Sequence, residues 1–193
     1  VDNLGWRYML GLVRTAVPVG SLAAATRAAE LVTTAARDDA NGHLWLDVRA
    51  DRLLVSVQTR SLGWITDTDL DLVRRISATL SEHGLRTEPG RESSARPVQM
   101  LEIAIDAIDI AAIRPFWKAV LGYVDEAGND GPTDALVDPY EQAPAFWFQQ
   151  MESPRPQRNR IHFDMSVSPD EAPGRIEAAL AAGGTMVSDA AAP

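Results

Sequence analysis

The sequence holds three histidines and no cysteine. Proton exchange near neutral pH therefore falls to imidazoles, and thiolate chemistry, nucleophilic or metal-binding, is closed to the chain. His43 stands at the entrance to an alternating, strand-like stretch. Asp69 stands in the first turn of an expected helix, where a carboxylate stabilises the dipole by about 0.3–1 kcal/mol without any function. Arg60 ends the same strand region and offers a contact for an anionic group. Farther on, residues 160–168 repeat the pattern of residues 100–108, and superposing them puts His162 opposite Glu102 and Phe163 opposite Ile103. Glu102 lies on an otherwise apolar stretch, where a lone buried carboxylate is costly and calls for a partner such as His162 or Arg160. Phe146, Trp147 and Phe148 alternate, so one of them faces away from its neighbours. The inward face would line an aromatic pocket for a flat ligand, with Trp147 as a candidate contact.

These side chains need a scaffold, and the hydrophobic pattern supplies one. Residues 4–19 read as a strand or bent hairpin edge that ends at Pro18 and Gly20. Ser21 reads as the N-cap of a helix over 22–37, closed by Asp38, Asp39, Asn41 and Gly42. Residues 44–49 and 52–59 form a hairpin across Ala50 and Asp51. Thr66 caps a helix over 67–83 with the stripe Leu70, Val73, Ile76 and Leu80. Residues 84–97 carry Gly and Pro punctuation without periodicity and read as a linker. Beyond them come a strand over 98–107, a helix over 110–121 capped by Asp109 and stopped by Gly122, short strands over 134–137 and 145–150, a strand over 160–167 and a helix over 169–182. The expected fold is α+β in two domains, 1–83 and 98–193, the second built as a repeat whose second copy stops early.

With 46% hydrophobic and 23% charged residues the chain can bury a core. Its net charge of -9 repels phosphate backbones, which argues against nucleic acid as a partner. Apolar runs are too short for a membrane helix, so no membrane partner is expected. The absence of cysteine and of a secretory pattern gives a cytoplasmic expectation.

Trp6, the hairpin, and the turn Leu62, Gly63, Trp64, Ile65, Thr66 followed by Asp69 resemble the pterin-4a-carbinolamine dehydratase family over most of residues 4–83. The resemblance implies removal of water from a 4a-hydroxytetrahydrobiopterin by general acid–base catalysis. In the family's register, a His-His-Pro signature falls on Gly42, His43 and Leu44, and a later histidine falls on Arg60. His43 and Asp69 are the implied catalytic residues, with Arg60 and Trp64 at the substrate. An arginine cannot act as a base, because its pKa lies above about 12.

Leu101 to Asp106, Asp109, Phe116, Trp117 and Leu121, Gly122, Tyr123 resemble the glyoxalase and bleomycin-resistance (vicinal oxygen chelate) superfamily, and residues 158–164 match the entry to a second module. The resemblance implies a divalent metal held from the first strand of each module, here by Glu102 and His162, with Gln149 or Gln150 as a third ligand. One imidazole and one carboxylate suit zinc, manganese, iron or nickel. Three readings stay open: a dehydratase fused to a glyoxalase-like domain, a non-catalytic binder of a pterin-like or aromatic small molecule, and a metal-dependent lyase or dioxygenase in the second domain. A homodimer is expected by analogy, with strands of another copy completing the shortened module.

Overall fold

In the computed structural model, which describes residues 2–88, 100–157 and 162–188, the chain divides into two units, Val1–Met100 and Leu101–Pro193. The first opens with a hairpin of β1 (Arg7–Met9) and β2 (Leu12–Pro18), reversed at Leu10 and Gly11. α1 (Leu22–Ala36) begins where expected, with the Ser21 hydroxyl accepting the Ala24 N–H at 3.2 Å. Its end differs from the expectation. Instead of a loop over residues 38–42, one backbone kink at Arg37 (φ 56°) leads into a 3₁₀ turn, Arg37–Asp39, and a one-turn helix, α2 (Ala40–His43). His43 is therefore the last helical residue before the sheet.

β3 (Leu44–Val48) and β4 (Arg52–Val57) form the expected hairpin, with Leu44 opposite Val57 and Val48 opposite Leu53. The sheet order is β1-β2-β4-β3, antiparallel throughout. Strand alternation turns Val13, Val17, Leu53, Val55 and Val57 to one face, where they are buried in one cluster with residues of α1 and of α3 (Asp67–Glu82). On α3 the buried stripe is Asp69, Leu72, Val73, Ile76 and Leu80; Leu70, expected inside, is only half-buried and Leu72 takes its place. The spacing 69, 72, 73, 76 is the wider apolar face of a globular helix, and its first member is a carboxylate. Trp6 is fully buried and its indole N–H donates to Ser77 Oγ at 2.8 Å, tying the start of the unit to α3.

Residues 84–88, assigned by sequence to the linker, lie back along the first unit. Ala16 and Glu88 exchange backbone hydrogen bonds of 3.2 and 2.7 Å, and the Thr87 hydroxyl donates to Leu4 O. The approach is close enough to need a glycine: Gly5 has φ +76°, and a Cβ there would fall 2.3 Å from Thr87 O. The rest of that stretch, 89–97, lies outside the described residues.

In the second unit β5 (Glu102–Ala107), α4 (Ile110–Leu121), β6 (Val124–Asp125), β7 (Leu136–Val137) and β8 (Ala145–Gln150) form one βαβββ module. Its sheet runs β5-β8-β7-β6, with β5 and β8 parallel and the other pairs antiparallel. Asp109 caps α4 by accepting the Ala112 N–H at 3.0 Å, and Gly122 ends it in the left-handed conformation at φ 69°. The short β6, not read from sequence, is fixed by a buried cation. Arg114 donates to Asp134 O at 2.8 Å and to Asp125 Oδ1 at 2.7 Å, and Lys118 takes the other Asp125 oxygen at 2.5 Å.

The second copy of the pattern is less regular. Residues 162–167, expected as a strand, join no ladder among the described residues, and 160–161 lie outside them. The expected helix is present as α5 (Ala172–Ala181), starting at Ala172 because Pro173 fits the first turn, where its missing N–H is not needed.

Candidate functional site

Thr59, Thr66, Asp69 and His43 meet where β4 leaves the sheet, α3 begins and α2 ends. Thr66 and Asp69 are the first and last members of a capping box, so the Asp69 carboxylate is placed by the geometry of the helix start itself. One Asp69 oxygen, Oδ2, accepts from Thr59 Oγ1 at 2.7 Å, from the Thr66 N–H at 2.7 Å and from Thr66 Oγ1 at 3.0 Å. The other, Oδ1, lies 2.8 Å from His43 Nδ1. The Asp69 side chain is fully buried, while His43 keeps 18% of its side chain exposed. Burial raises the Asp69 pKa, but the bonds from Thr59, the Thr66 backbone, His43 and the Thr66 hydroxyl lower it further, and the net position is below the ordinary carboxylate value. A charged Asp69 holds the imidazole proton on Nδ1, and a neutral ring then presents Nε2 as a base.

The backbone fixes what surrounds this dyad. The Gln58 N–H donates to His43 O at 2.9 Å and the Arg60 N–H to Gly42 O at 3.0 Å, so the main chain of residues 58–60 runs alongside the end of α2. Its guanidinium lies 4.5 Å from the ring centroid of Trp45. Trp64 is 59% exposed and packs edge-to-face on Tyr8 at 6.0 Å, so the structure places it on the outer surface rather than in a closed pocket.

Sequence reasoning named His43, Asp69, Arg60 and Trp64 and missed Thr59, Thr66 as a carboxylate partner, and Trp45. By sequence Thr66 is expected only as an N-cap. The spacing Thr66 to Asp69 is the capping-box signature, and it could have shown that this carboxylate turns back toward the helix start.

The second unit treats its candidates differently. Glu102 is exposed on β5 rather than buried, because Ile103, Ile105 and Ala107 take the face under α4. The cost of an unpaired buried carboxylate therefore does not arise. His162 is 84% exposed, with Asp164 3.7 Å away, and no ion pair joins it to Glu102. Register settles the parity left open by sequence. Ala104 is paired with Trp147 and Asp106 with Gln149 along the parallel strands, so Trp147 and Gln149 share the outer face with Glu102. Gln150 points elsewhere and donates to Ile108 O at 2.7 Å. Phe146 and Phe148 are buried beneath α4. Among the described residues no group of three or more metal-binding side chains gathers. An apolar groove of about 280 Å³ lies between α4 and α5, lined by Phe116, Val120, Met165, Ile176, Leu180 and Met186 among others.

Residues 102–193 match the family described as glyoxalase-like domain. The second unit is glyoxalase-like. Its match starts at the first residue of β5 and takes in the βαβββ module and α5. No curated protein and no solved structure matches the chain. No helix among the described residues is long and apolar enough to cross a membrane.

Proposed function

We propose that the first unit is a hydro-lyase that removes water from a pterin 4a-carbinolamine, with His43 as its acid–base group and Asp69 as the residue that positions it. The supporting observation is the 2.8 Å contact between His43 Nδ1 and a fully buried, anionic Asp69, which leaves Nε2 as the ring nitrogen outside that contact on a partly exposed side chain. In the reaction Nε2 takes the proton from ring N5 while the lone pair left on nitrogen forms the N5=C4a bond. The C4a–O bond breaks, the departing hydroxyl receives a proton from the imidazolium, and water and a quinonoid dihydropterin are the products. One imidazole suffices because the donor and the acceptor sit on adjacent ring atoms. Arg60, where a second histidine would stand by resemblance, serves binding.

A second reading is favoured by that same arginine: a site that binds a flat heteroaromatic ligand and turns nothing over. The two separate on one assay. Stopped-flow measurement of carbinolamine loss is expected to show acceleration over buffer by the wild-type chain and a fall of about 10²-fold or more in His43→Ala. Wild-type rates equal to buffer would leave the binding reading standing. Within the glyoxalase-like unit, the outer face carrying Glu102, Trp147 and Gln149 is the surface proposed for a small aromatic ligand; a metal at Glu102 and His162 has no support from the contacts of either residue.

A further inference from the structure

Arginines in the described residues are mostly tied to acids. Arg49, Arg52, Arg74, Arg75 and Arg114 each hold an aspartate within 2.7 Å. Arg60 is the contrast: its contact is with the face of Trp45, and no carboxylate of the described residues pairs with it. In a chain with 27 acidic and 18 basic residues, an arginine left with an aromatic partner is a cation available to an outside anion. The indole face also pre-orders it. A guanidinium held at 4.5 Å over a half-buried tryptophan has lost part of its rotamer freedom already, so less is lost when its fork closes on a carboxylate or phosphate. The backbone bond from the Arg60 N–H to Gly42 O joins the Arg60 main chain to the residue before His43, while the fork itself lies over Trp45.

From this we infer that the ligand of the first unit is a flat ring bearing a carboxylate or phosphate, selected by Arg60 on its Trp45 platform. The inference rests on the reading of the dyad as the site that receives a heteroaromatic ring, and it names the class of that ring's substituent. A bidentate arginine contact to an anion outranks a neutral hydrogen bond in strength, so the charged member of a matched ligand pair gains most.

Fluorescence titration of the whole chain with pterin and with pterin-6-carboxylate at low salt tests it. The carboxylate is expected to bind about tenfold more tightly or better. Arg60→Gln is expected to bring the two affinities within about twofold, and Arg60→Lys to keep part of the preference. Arg60 is exposed, so these variants keep their fold, which circular dichroism checks. Equal affinities in the wild type, an undiminished preference in Arg60→Gln, or no binding of either compound overturns the inference. His43→Ala separates the two claims. If the carboxylate preference persists in it while neither it nor the wild type dehydrates, the reaction fails and the anion selectivity stands; dehydration without the preference does the reverse.

Discussion

His43 Nδ1 and Asp69 Oδ1 lie 2.8 Å apart, across 26 residues of sequence, and Asp69 brings to that contact a carboxylate already held by the start of its own helix. Its second oxygen is engaged by Thr59 and by the Thr66 backbone, each at 2.7 Å. The carboxylate therefore has two duties, fixing the N-terminus of α3 and orienting an imidazole. Removing it strands several donors. Asp69→Ala is expected to lower the stability of the first unit by about 1–3 kcal/mol, and His43→Ala by about 1 kcal/mol or less, as read from urea unfolding followed by tryptophan fluorescence. A loss under 0.5 kcal/mol in Asp69→Ala, within the range of an ordinary surface substitution, would contradict the network.

The same contacts set an acid limb. Asp69 is depressed below the ordinary carboxylate value in the folded unit, so the unfolded chain binds its proton more readily. The stabilisation is complete above the unfolded pKa of about 3.9, and it is lost as pH falls through the lower folded value. Asp69→Asn is expected to flatten this limb in unfolding measured between about pH 5 and pH 2. A wild-type slope retained in the variant would assign the limb to other carboxylates.

Much of this arrangement was legible in the sequence, for reasons that can be named. Ser21, Thr66 and Asp109 announced three helix starts because capping is a local matter of one side chain and one N–H. Gly122 announced a helix end in the same way. The pairing of His43 with Asp69 was accessible only through resemblance, since nothing local says that residues 26 apart meet. Three features escaped. The short α2 depends on a single kink at Arg37, which no propensity marks. β6 is two residues long and depends on Arg114, a tertiary partner. Glu102 looked costly because its strand is apolar, yet alternation puts Ile103 and Ile105 inside and leaves the carboxylate outside; composition of a strand does not reveal which face a residue takes.

Arg114 gives a prediction for the glyoxalase-like unit. It is 7% exposed and bonds to both Asp134 O and Asp125, holding the β6–β7 region to α4. Arg114→Met keeps most of the volume and removes the donors. A loss of about 1–3 kcal/mol is expected in that unit's unfolding transition, with Lys118 still neutralising Asp125. A change within about 0.5 kcal/mol would mean the hydrogen bonds contribute nothing net.

Glu102 and His162 carry the opposite expectation. Both are exposed and unjoined, so Glu102→Ala and His162→Ala should each change stability by no more than about 0.5 kcal/mol. Any thermal shift produced by added zinc is expected to be the same in both variants as in the wild type. A zinc-dependent rise in melting temperature that either substitution abolishes would restore the metal site.

The central claim is that one imidazole, positioned by Asp69, moves the proton. The pH–rate profile of carbinolamine dehydration tests it most directly, compared among the wild type, His43→Ala and Asp69→Asn. The account predicts a single ionisation limb in the wild type, a profile indistinguishable from buffer in His43→Ala, and a displaced limb of reduced height in Asp69→Asn. A wild-type profile that survives unchanged in His43→Ala would contradict it.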